Sequence, residues 1–210
     1  DMSRRTGGEI YLGIVGPVRT GKSTFIKRFM ELVVIPEMTD DNEKVRTIDE
    51  LPQSADGKTI MTTEPKFIPK EAAVIHFSNQ ETGKIRLIDC VGYLVPEAVG
   101  AIEEEKERMV KTPWSEEEIP FSKAAEIGTS KVIREHSNLG LIITTDGSFG
   151  DIPAVNFEEA LQKTVMECEK AGKPFLILVN TSRPDSQETI QFTKRLEAQY
   201  GKTVMAVNCK

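Results

Sequence analysis

Residues 16–23, with the sequence GPVRTGKS, constrain the fold of this chain more than any other segment. They match the pattern G-x-x-x-x-G-K-[ST] at every fixed position. Apolar residues alternate through 9–15 just before the motif, which predicts a strand, and recur every three or four residues through 21–34, which predicts a helix. A strand, a glycine-rich turn and a helix in this order are typical of a P-loop, which binds the phosphates of a nucleotide.

The chemistry of phosphate binding explains the residue types in this motif. Glycine lets the backbone curl so that its amides and the amino end of the helix face the phosphates. Lys22 would place a positive charge on the outer phosphates, and the Ser23 hydroxyl would ligate Mg²⁺. The motif therefore predicts a site for a nucleoside triphosphate with magnesium, bound by Gly16, Arg19, Thr20, Gly21, Lys22, Ser23 and Thr24.

The order of the remaining elements predicts an α/β fold. Two short apolar segments, 72–78 and 84–90, are joined by a turn-rich link, which favours an antiparallel hairpin. Three further apolar strands alternate with three helices: the strands are 139–145, 174–180 and 203–208, and the helices are 122–136, 156–171 and 186–200. This alternation predicts one domain over 1–210, with a mixed, mostly parallel six-stranded sheet and helices on both faces.

Two segments carry no sustained hydrophobic period. Residues 36–70 predict a long loop with at most short structure, and loops of this length are usually functional. The charged segment 103–108 predicts a solvated face of a helix or loop.

Further candidate site residues lie at the end of a predicted strand and in the long loop. Asp89 and Gly92, in the sequence DCVG, belong at the carboxyl edge of the sheet, beside 16–23. Asp89 would hold magnesium through water, and the Gly92 amide would contact the terminal phosphate only before cleavage. In the loop, either Thr62 or Thr63 could reach magnesium and the attacking water. The predicted metal ligands are Ser23, Thr63 and Asp89, and the predicted catalytic residues are Arg19, Lys22, Thr62, Thr63 and Asp89.

The segment after the fifth predicted strand bears on the choice of base. Guanine-specific switch proteins carry N-K-x-D there, and its aspartate accepts two hydrogen bonds from guanine. Here Asn180 remains, but Arg183, which has no acceptor, stands at the aspartate position. A donor left unpaired costs about 1–3 kcal/mol, so we expect ATP to be preferred, with Asn180 and Arg183 at the base. Asp185 lies two residues later, so a GTPase remains an alternative.

Composition excludes several classes of partner. The chain of 210 residues has 27 basic and 33 acidic side chains, a net charge of -6, so we expect no nucleic-acid partner. Its three cysteines match neither a zinc cluster nor a disulfide framework and suit a reducing cytosol. We find no apolar membrane span or signal peptide, and therefore expect a soluble domain. Both ends of the sequence suggest a piece of a longer chain.

The whole chain resembles the amino-terminal ATPase domain of the stage IV sporulation protein A family, the morphogenetic ATPases of bacterial spores. The resemblance extends well beyond the glycine-rich loop. It is carried by residues 5–8, 11–13, 18–25, 51–54, 57–67, 89–93, 112–114, 124–129 and 143–147.

This resemblance implies a translation-factor-like GTPase fold (the TRAFAC type) that has turned to ATP. In the family, Lys22 matches the Walker A lysine, Asp89 the Walker B aspartate, and Thr62 and Thr63 the sensor threonines. Hydrolysis would drive polymerisation into the basement layer of the spore coat, on the mother-cell side of the forespore. Contacts with the forespore membrane and other coat proteins would come from domains outside this sequence.

Three functions stay open from the residues: an ATPase that drives assembly, a regulatory GTPase that toggles between partners, and a nucleotide-bound scaffold with little turnover. Tyr93 follows DCVG where many GTPases place a glutamine that orients water, so another group must position the water. Arg19 is one candidate, because it stands where cation-activated relatives of this fold carry an asparagine that helps to bind a potassium ion. Its guanidinium would supply that charge between the outer phosphates and act as an arginine finger. The alternative is that Arg19 points to solvent or pairs with a carboxylate.

Overall fold

The computed structural model describes residues 8–52, 64–76, 82–96, 102–103 and 106–210, and the statements below concern these residues. Their ten strands are β1 Glu9–Val15, β2 Lys66–His76, β3 Thr82–Asp89, β4 Ile102–Glu103, β5 Lys106–Glu107, β6 Met109–Thr112, β7 Ser115–Pro120, β8 Leu139–Thr145, β9 Phe175–Asn180 and β10 Val204–Val207. The α-helices are α1 Lys22–Phe29, α2 Asp41–Glu50, α3 Phe121–Lys131, α4 Glu158–Lys170 and α5 Gln187–Tyr200.

Two of these helices continue into π-helical turns, and two short 3₁₀ helices accompany them. Met30–Val34 extends α1 and Val132–His136 extends α3, while Ile35–Glu37 follows the first of these turns and Ala154–Phe157 precedes α4. The predicted helices at 21–34, 122–136, 156–171 and 186–200 are therefore present, with ends shifted by a few residues.

Six strands form one mixed sheet in the order β10-β9-β8-β1-β3-β2. Every neighbouring pair is parallel except β2 and β3, which form an antiparallel hairpin. The predicted α/β class, the six strands and the hairpin are confirmed.

Helices cover both faces of the sheet, because successive apolar residues of a strand point to opposite faces and each face must be buried. Leu12 and Ile14 of β1 pack on one face with Ile26 and Met30 of the α1 segment. On the other face, Val15 joins a cluster formed by the α3, α4 and α5 segments, with Val132, Leu161 and Leu196 among its members. The sheet is thus buried between two helical layers, and its loops are left to form a site at the strand ends.

The predicted loop at 36–70 is wrong in part, since it contains α2 and the start of β2. Asp40 caps α2 by accepting hydrogen bonds from the amides of Asn42 and Glu43, at 2.7 and 3.1 Å. Along α2, Val45 and Ile48 are exposed and Thr47 is buried, so the helix has little of the apolar stripe that marks a helix in a sequence.

The charged segment between β3 and α3 also differs from its prediction. Residues 103–108 were expected in a solvated helix or loop, but β4 and β5 pair there as a short antiparallel ladder. A second small ladder, β6 with β7, leads directly into α3.

All three cysteines, Cys90, Cys168 and Cys209, are buried free thiols. In the described part of the chain, every helix is too short or too polar to cross a membrane.

Candidate nucleotide-binding site

Residues 16–21 form the loop between β1 and α1, at the carboxyl edge of the sheet, and Lys22 and Ser23 begin α1. We call the whole segment loop 16–23. Gly21 is the amino-terminal cap of α1, has a φ of 92° and provides no side-chain cap. The first turn of α1 also contains no acidic residue. The first backbone amides of a helix have no partner within the helix, so this end of α1 is suited to an anion.

Lys22 is buried beneath this loop, with 6% of its surface exposed. Its Nζ donates to the Pro17 carbonyl at 2.6 Å and to the Gly16 carbonyl at 3.4 Å. Burial lowers the pKa of Lys22, while the nearby acidic groups of Cys90 and Asp89 oppose that shift. Burial disfavours the charged form of this amine, and an anionic ligand within the loop would stabilise that form.

Asp89, the last residue of β3, lies opposite Ser23. Ser23 Oγ donates to Asp89 Oδ2 at 3.2 Å, and Asp89 Oδ1 is buried without a hydrogen bond from any described residue. Burial raises the pKa of Asp89, and the charge of Lys22 opposes that rise. A hydroxyl and a carboxylate with an unused oxygen are hard oxygen donors, the type that Mg²⁺ prefers, so these residues fit a magnesium site.

Gly92 lies against the same loop. Its φ is 91°, and its α-carbon lies so close to the loop that an added Cβ would be 1.9 Å from the Gly16 carbonyl oxygen and 2.9 Å from Lys22 Nζ. The next residue, Tyr93, accepts a hydrogen bond from the Val18 amide at 2.9 Å. Residues 92 and 93 are therefore fixed against 16–18, and any movement of one segment must affect the other.

Asn180, at the end of β9, supports the loop from the other side. Its Nδ2 donates to the Thr20 carbonyl at 3.0 Å, and its Oδ1 accepts from the Cys209 amide at 3.2 Å. An added Cβ on Gly21 would be 2.4 Å from the same Nδ2. Both polar atoms of Asn180 thus hold backbone in place, and its direct contact with a base stays a prediction.

A polar cluster next to Asn180 was not assigned a role from the sequence. Asp146, after β8, accepts from the Thr181 hydroxyl at 2.6 Å and from the Ser148 amide at 3.0 Å. Burial would raise the pKa of Asp146, but hydrogen bonds from Ser148, Thr181 and Thr189 outweigh it and lower the pKa. The only sequence signal was that Thr145, Asp146 and Thr181 directly end two neighbouring buried strands.

The remaining predicted site residues are distributed as follows. Arg19 is exposed, with a φ of 61°, and Thr24 is half-buried in the first turn of α1. Arg183 is exposed after β9, and its backbone amide donates to Thr181 Oγ1 at 3.2 Å. Thr62 and Thr63 lie outside the described residues. The fold therefore brings 16–24, Asp89, Gly92 and Asn180 together, while the roles of the other residues stay predictions.

Comparison with known proteins identifies the family. A model described as "Stage IV sporulation protein A, ATPase domain" matches residues 1–210. The chain belongs to this family. The resemblance seen in the sequence is thereby confirmed.

Three curated members of the stage IV sporulation protein A family show how much of such a protein this chain represents. The chain is 53% identical over 208 residues to the protein of Bacillus subtilis (strain 168) and, again at 53%, to that of Bacillus anthracis. It is 48% identical to the protein of Clostridioides difficile (strain 630). Each match covers 99% of this chain and 42% of the relative, so the chain spans less than half of their length.

Among solved structures, the chain is similar to a crystal structure of an SsGBP mutation variant. The TM-score is 0.49 at 14% sequence identity, covering 98% of this chain and 51% of that chain.

Proposed function

We propose that this chain is a P-loop NTPase domain of the translation-factor-like type, which binds ATP with magnesium and hydrolyses it to ADP and phosphate. The observation that carries the proposal is the presence in one site of a buried lysine, Lys22, and a buried carboxylate oxygen of Asp89 that has no hydrogen-bond partner among the described residues. Both lie beside the uncapped amino end of α1. Membership of an ATPase-domain family supports the same conclusion.

Each group in this arrangement would have a distinct part in hydrolysis. Backbone amides at the start of α1 would hold the phosphates, and Lys22 would offset the charge that develops on the outer ones. Ser23 would hold the magnesium ion directly and Asp89 through water, and the ion would neutralise phosphate charge. Gly92 would contact the terminal phosphate, and either Thr62 or Thr63 would orient the attacking water.

Preference for ATP is supported by the segment after β9. Thr181 stands where guanine-specific proteins have lysine, and its hydroxyl is already bonded to Asp146. Arg183 offers no acceptor for a guanine ring, and Asp185 is exposed. Asn180 is committed to the backbone at Thr20 and Cys209. Without a carboxylate at the guanine-binding position, we expect the site to favour ATP.

In the complete protein, we propose that hydrolysis drives a conformational change and polymerisation into the basement layer of the spore coat. The family and the names of the curated relatives place the domain in sporulation proteins, which supports this role. Attachment to the forespore membrane and to other coat proteins would belong to the part of such proteins that this chain does not span. The site of action would be the mother-cell side of the forespore, in the cytoplasm.

Substitution of Lys22 and Asp89 tests the proposed chemistry. We expect Lys22→Ala and Asp89→Ala to lower phosphate release from ATP by about 100-fold or more while the circular dichroism spectrum is kept. Matched controls are Lys194→Ala and Asp49→Ala, whose side chains are exposed on α5 and α2. Turnover near that of the wild type in either site variant would reject the assignment.

A further inference from the structure

Helices α3 and α4 leave a groove of about 400 Å³ between them on the surface. The α3 segment contributes Lys123 and Arg134 to its walls, and α4 contributes Lys163 and Lys170. Tyr93 lies in the groove as well, although it belongs to the loop after β3. We call this surface the α3–α4 groove.

Tyr93 connects this groove with the nucleotide site. Its ring is 7% exposed and packs with Val18 of loop 16–23 and with Phe157 and Ala160 at the start of the α4 segment. Its backbone carbonyl accepts from the Val18 amide, as described above. Burial raises the pKa of Tyr93, and the charges of Glu167 and Glu126, which line the same groove, raise it further.

This contact makes Tyr93 a mechanical link. A ligand that enters the groove far enough to move the ring must also move Val18, because the two side chains are packed and the two backbones are hydrogen-bonded. It must also move Gly92, which has no spare room against the Gly16 carbonyl and Lys22. Packed segments of this kind respond as a unit rather than by continuous deformation.

The charge around the groove favours an acidic ligand. Its cationic side chains are half exposed or more, at 61% for Lys123, 52% for Arg134, 51% for Lys163 and 60% for Lys170. Of the two acidic side chains that line the groove, Glu126 is 44% exposed and Glu167 is 18% exposed.

The three acidic partners of these four cations, Glu126, Glu159 and Glu167, cancel most of their charge and leave an excess of one positive charge. Arg134 bonds Glu167 at 3.0 Å, and Lys170 lies 3.7 Å from the same carboxylate, so two cations share one acidic partner. Lys123 and Lys163 form exposed pairs with Glu126 and Glu159. Such exposed ion pairs contribute little to stability, so an acidic ligand can replace these glutamates as the partner of the lysines.

An apolar contact is available beside these charges. Met166 of α4 lines the groove and is 46% exposed. Methionine adapts to the shape of an apolar partner, so the groove combines cationic side chains with one exposed apolar contact.

We propose that the α3–α4 groove is an allosteric docking site for an acidic, partly apolar segment of a partner protein, and that Tyr93 transmits its occupancy to loop 16–23. Occupancy lowers the rate of ATP hydrolysis by displacing Val18 and Gly92 from their positions beside Lys22. The activity readout rests on the proposed ATPase function, whereas binding of the acidic segment does not.

A covalent label in the groove tests the link to the nucleotide site. Ser130 lines the groove and is half-buried, and the native cysteines are all buried, so Ser130→Cys can be labelled selectively with fluorescein maleimide. We expect the label to lower ATP turnover by roughly fivefold or more, within the usual range of coupling between sites. The control is labelled Gln162→Cys, since Gln162 is exposed on α4 and does not line the groove.

Substitutions of Tyr93 test the route of transmission. In the Ser130→Cys background, Tyr93→Phe keeps the ring and should keep the response to the label, whereas Tyr93→Ala should abolish it. Equal turnover of labelled and unlabelled Ser130→Cys, or equal inhibition in labelled Gln162→Cys, overturns the proposal even if Tyr93→Ala does not fold. A failure of the unlabelled wild-type chain to hydrolyse ATP would instead reject the proposed function.

Peptide binding tests the kind of partner. The probes are two 12-residue peptides, one of Glu and Leu and one of Lys and Leu, with binding followed by fluorescence anisotropy. The acidic peptide should bind more tightly, weaken as salt rises, and lose at least tenfold in affinity in Lys163→Glu with Lys170→Glu, but not in Lys194→Glu. Equal binding of both peptides, no effect of the charge reversal, or preferential binding of a single-stranded oligonucleotide overturns the proposal.

Discussion

Replacement of Gly92 by alanine probes the contact between the segment after β3 and loop 16–23. The added Cβ would lie 1.9 Å from the Gly16 carbonyl oxygen, about 1.5 Å short of ordinary van der Waals contact, and 2.9 Å from Lys22 Nζ. Because the neighbour on one side is backbone, the clash must be relieved by moving one loop away from the other. The Gly92→Ala variant should therefore misplace Lys22 or the Gly92 amide by on the order of 1 Å.

The expected loss follows from that displacement. A misplacement of this size costs roughly 100-fold in rate, which corresponds to about 2.7 kcal/mol in the activation barrier. A φ of 91° adds backbone strain of about 1–3 kcal/mol to the folded state of an alanine variant. Strain alone would lower stability without a specific effect on turnover.

Gly8→Ala separates these two effects. Gly8 has a similar φ of 88°, but nothing lies within 4 Å of its added Cβ. We expect both variants to lose stability, with melting temperatures lower by about 2–4 °C for each kcal/mol, but only Gly92→Ala to lose turnover at saturating ATP. If Gly92→Ala hydrolyses ATP at the rate of Gly8→Ala, the inferred contact does not control catalysis.

Four further variants test individual roles. The double variant Thr62→Ala and Thr63→Ala should still bind ATP but no longer cleave it. If ATP binding and turnover fall together, the two threonines have a structural role instead. Arg19→Ala should lower turnover by on the order of a thousandfold and should weaken ATP binding by less than that. Arg19→Asn should make hydrolysis faster in potassium than in sodium. Wild-type turnover in both variants would reject the arginine-finger hypothesis. Asn180→Ala frees the Thr20 carbonyl and should weaken ATP and GTP by similar factors in equilibrium titrations, whereas selective loss of one nucleotide would assign Asn180 to the base.

The sheet and the loop 16–23 were predictable because their signals are local. Each of β1, β8 and β9 is a short apolar run, and the fixed residues of the glycine-rich motif are adjacent in sequence. The position of Asp89 followed from a general rule, since the carboxyl ends of parallel strands meet at one edge of the sheet.

Other features depend on contacts between distant residues. Asn180 is bonded to Thr20 and to Cys209, which lie 160 and 29 residues away, so no local pattern could reveal its bracing role. Helix α2 was missed because Val45 and Ile48 face solvent and its first turn depends on the Asp40 cap. A single short capping signal inside a polar segment is too weak to predict a helix without the packing around it.

The most direct test of the central claim is an equilibrium competition between ATP and GTP for this chain with magnesium present, measured by displacement of a fluorescent ATP analogue. The account predicts that ATP displaces the analogue at concentrations at least about tenfold lower than GTP does, because Arg183 cannot accept a hydrogen bond from guanine. It also predicts that Lys22→Ala abolishes binding of the analogue. Equal or tighter binding of GTP, lost on substitution of Asp185 by alanine, would contradict the account and favour a guanine-specific switch.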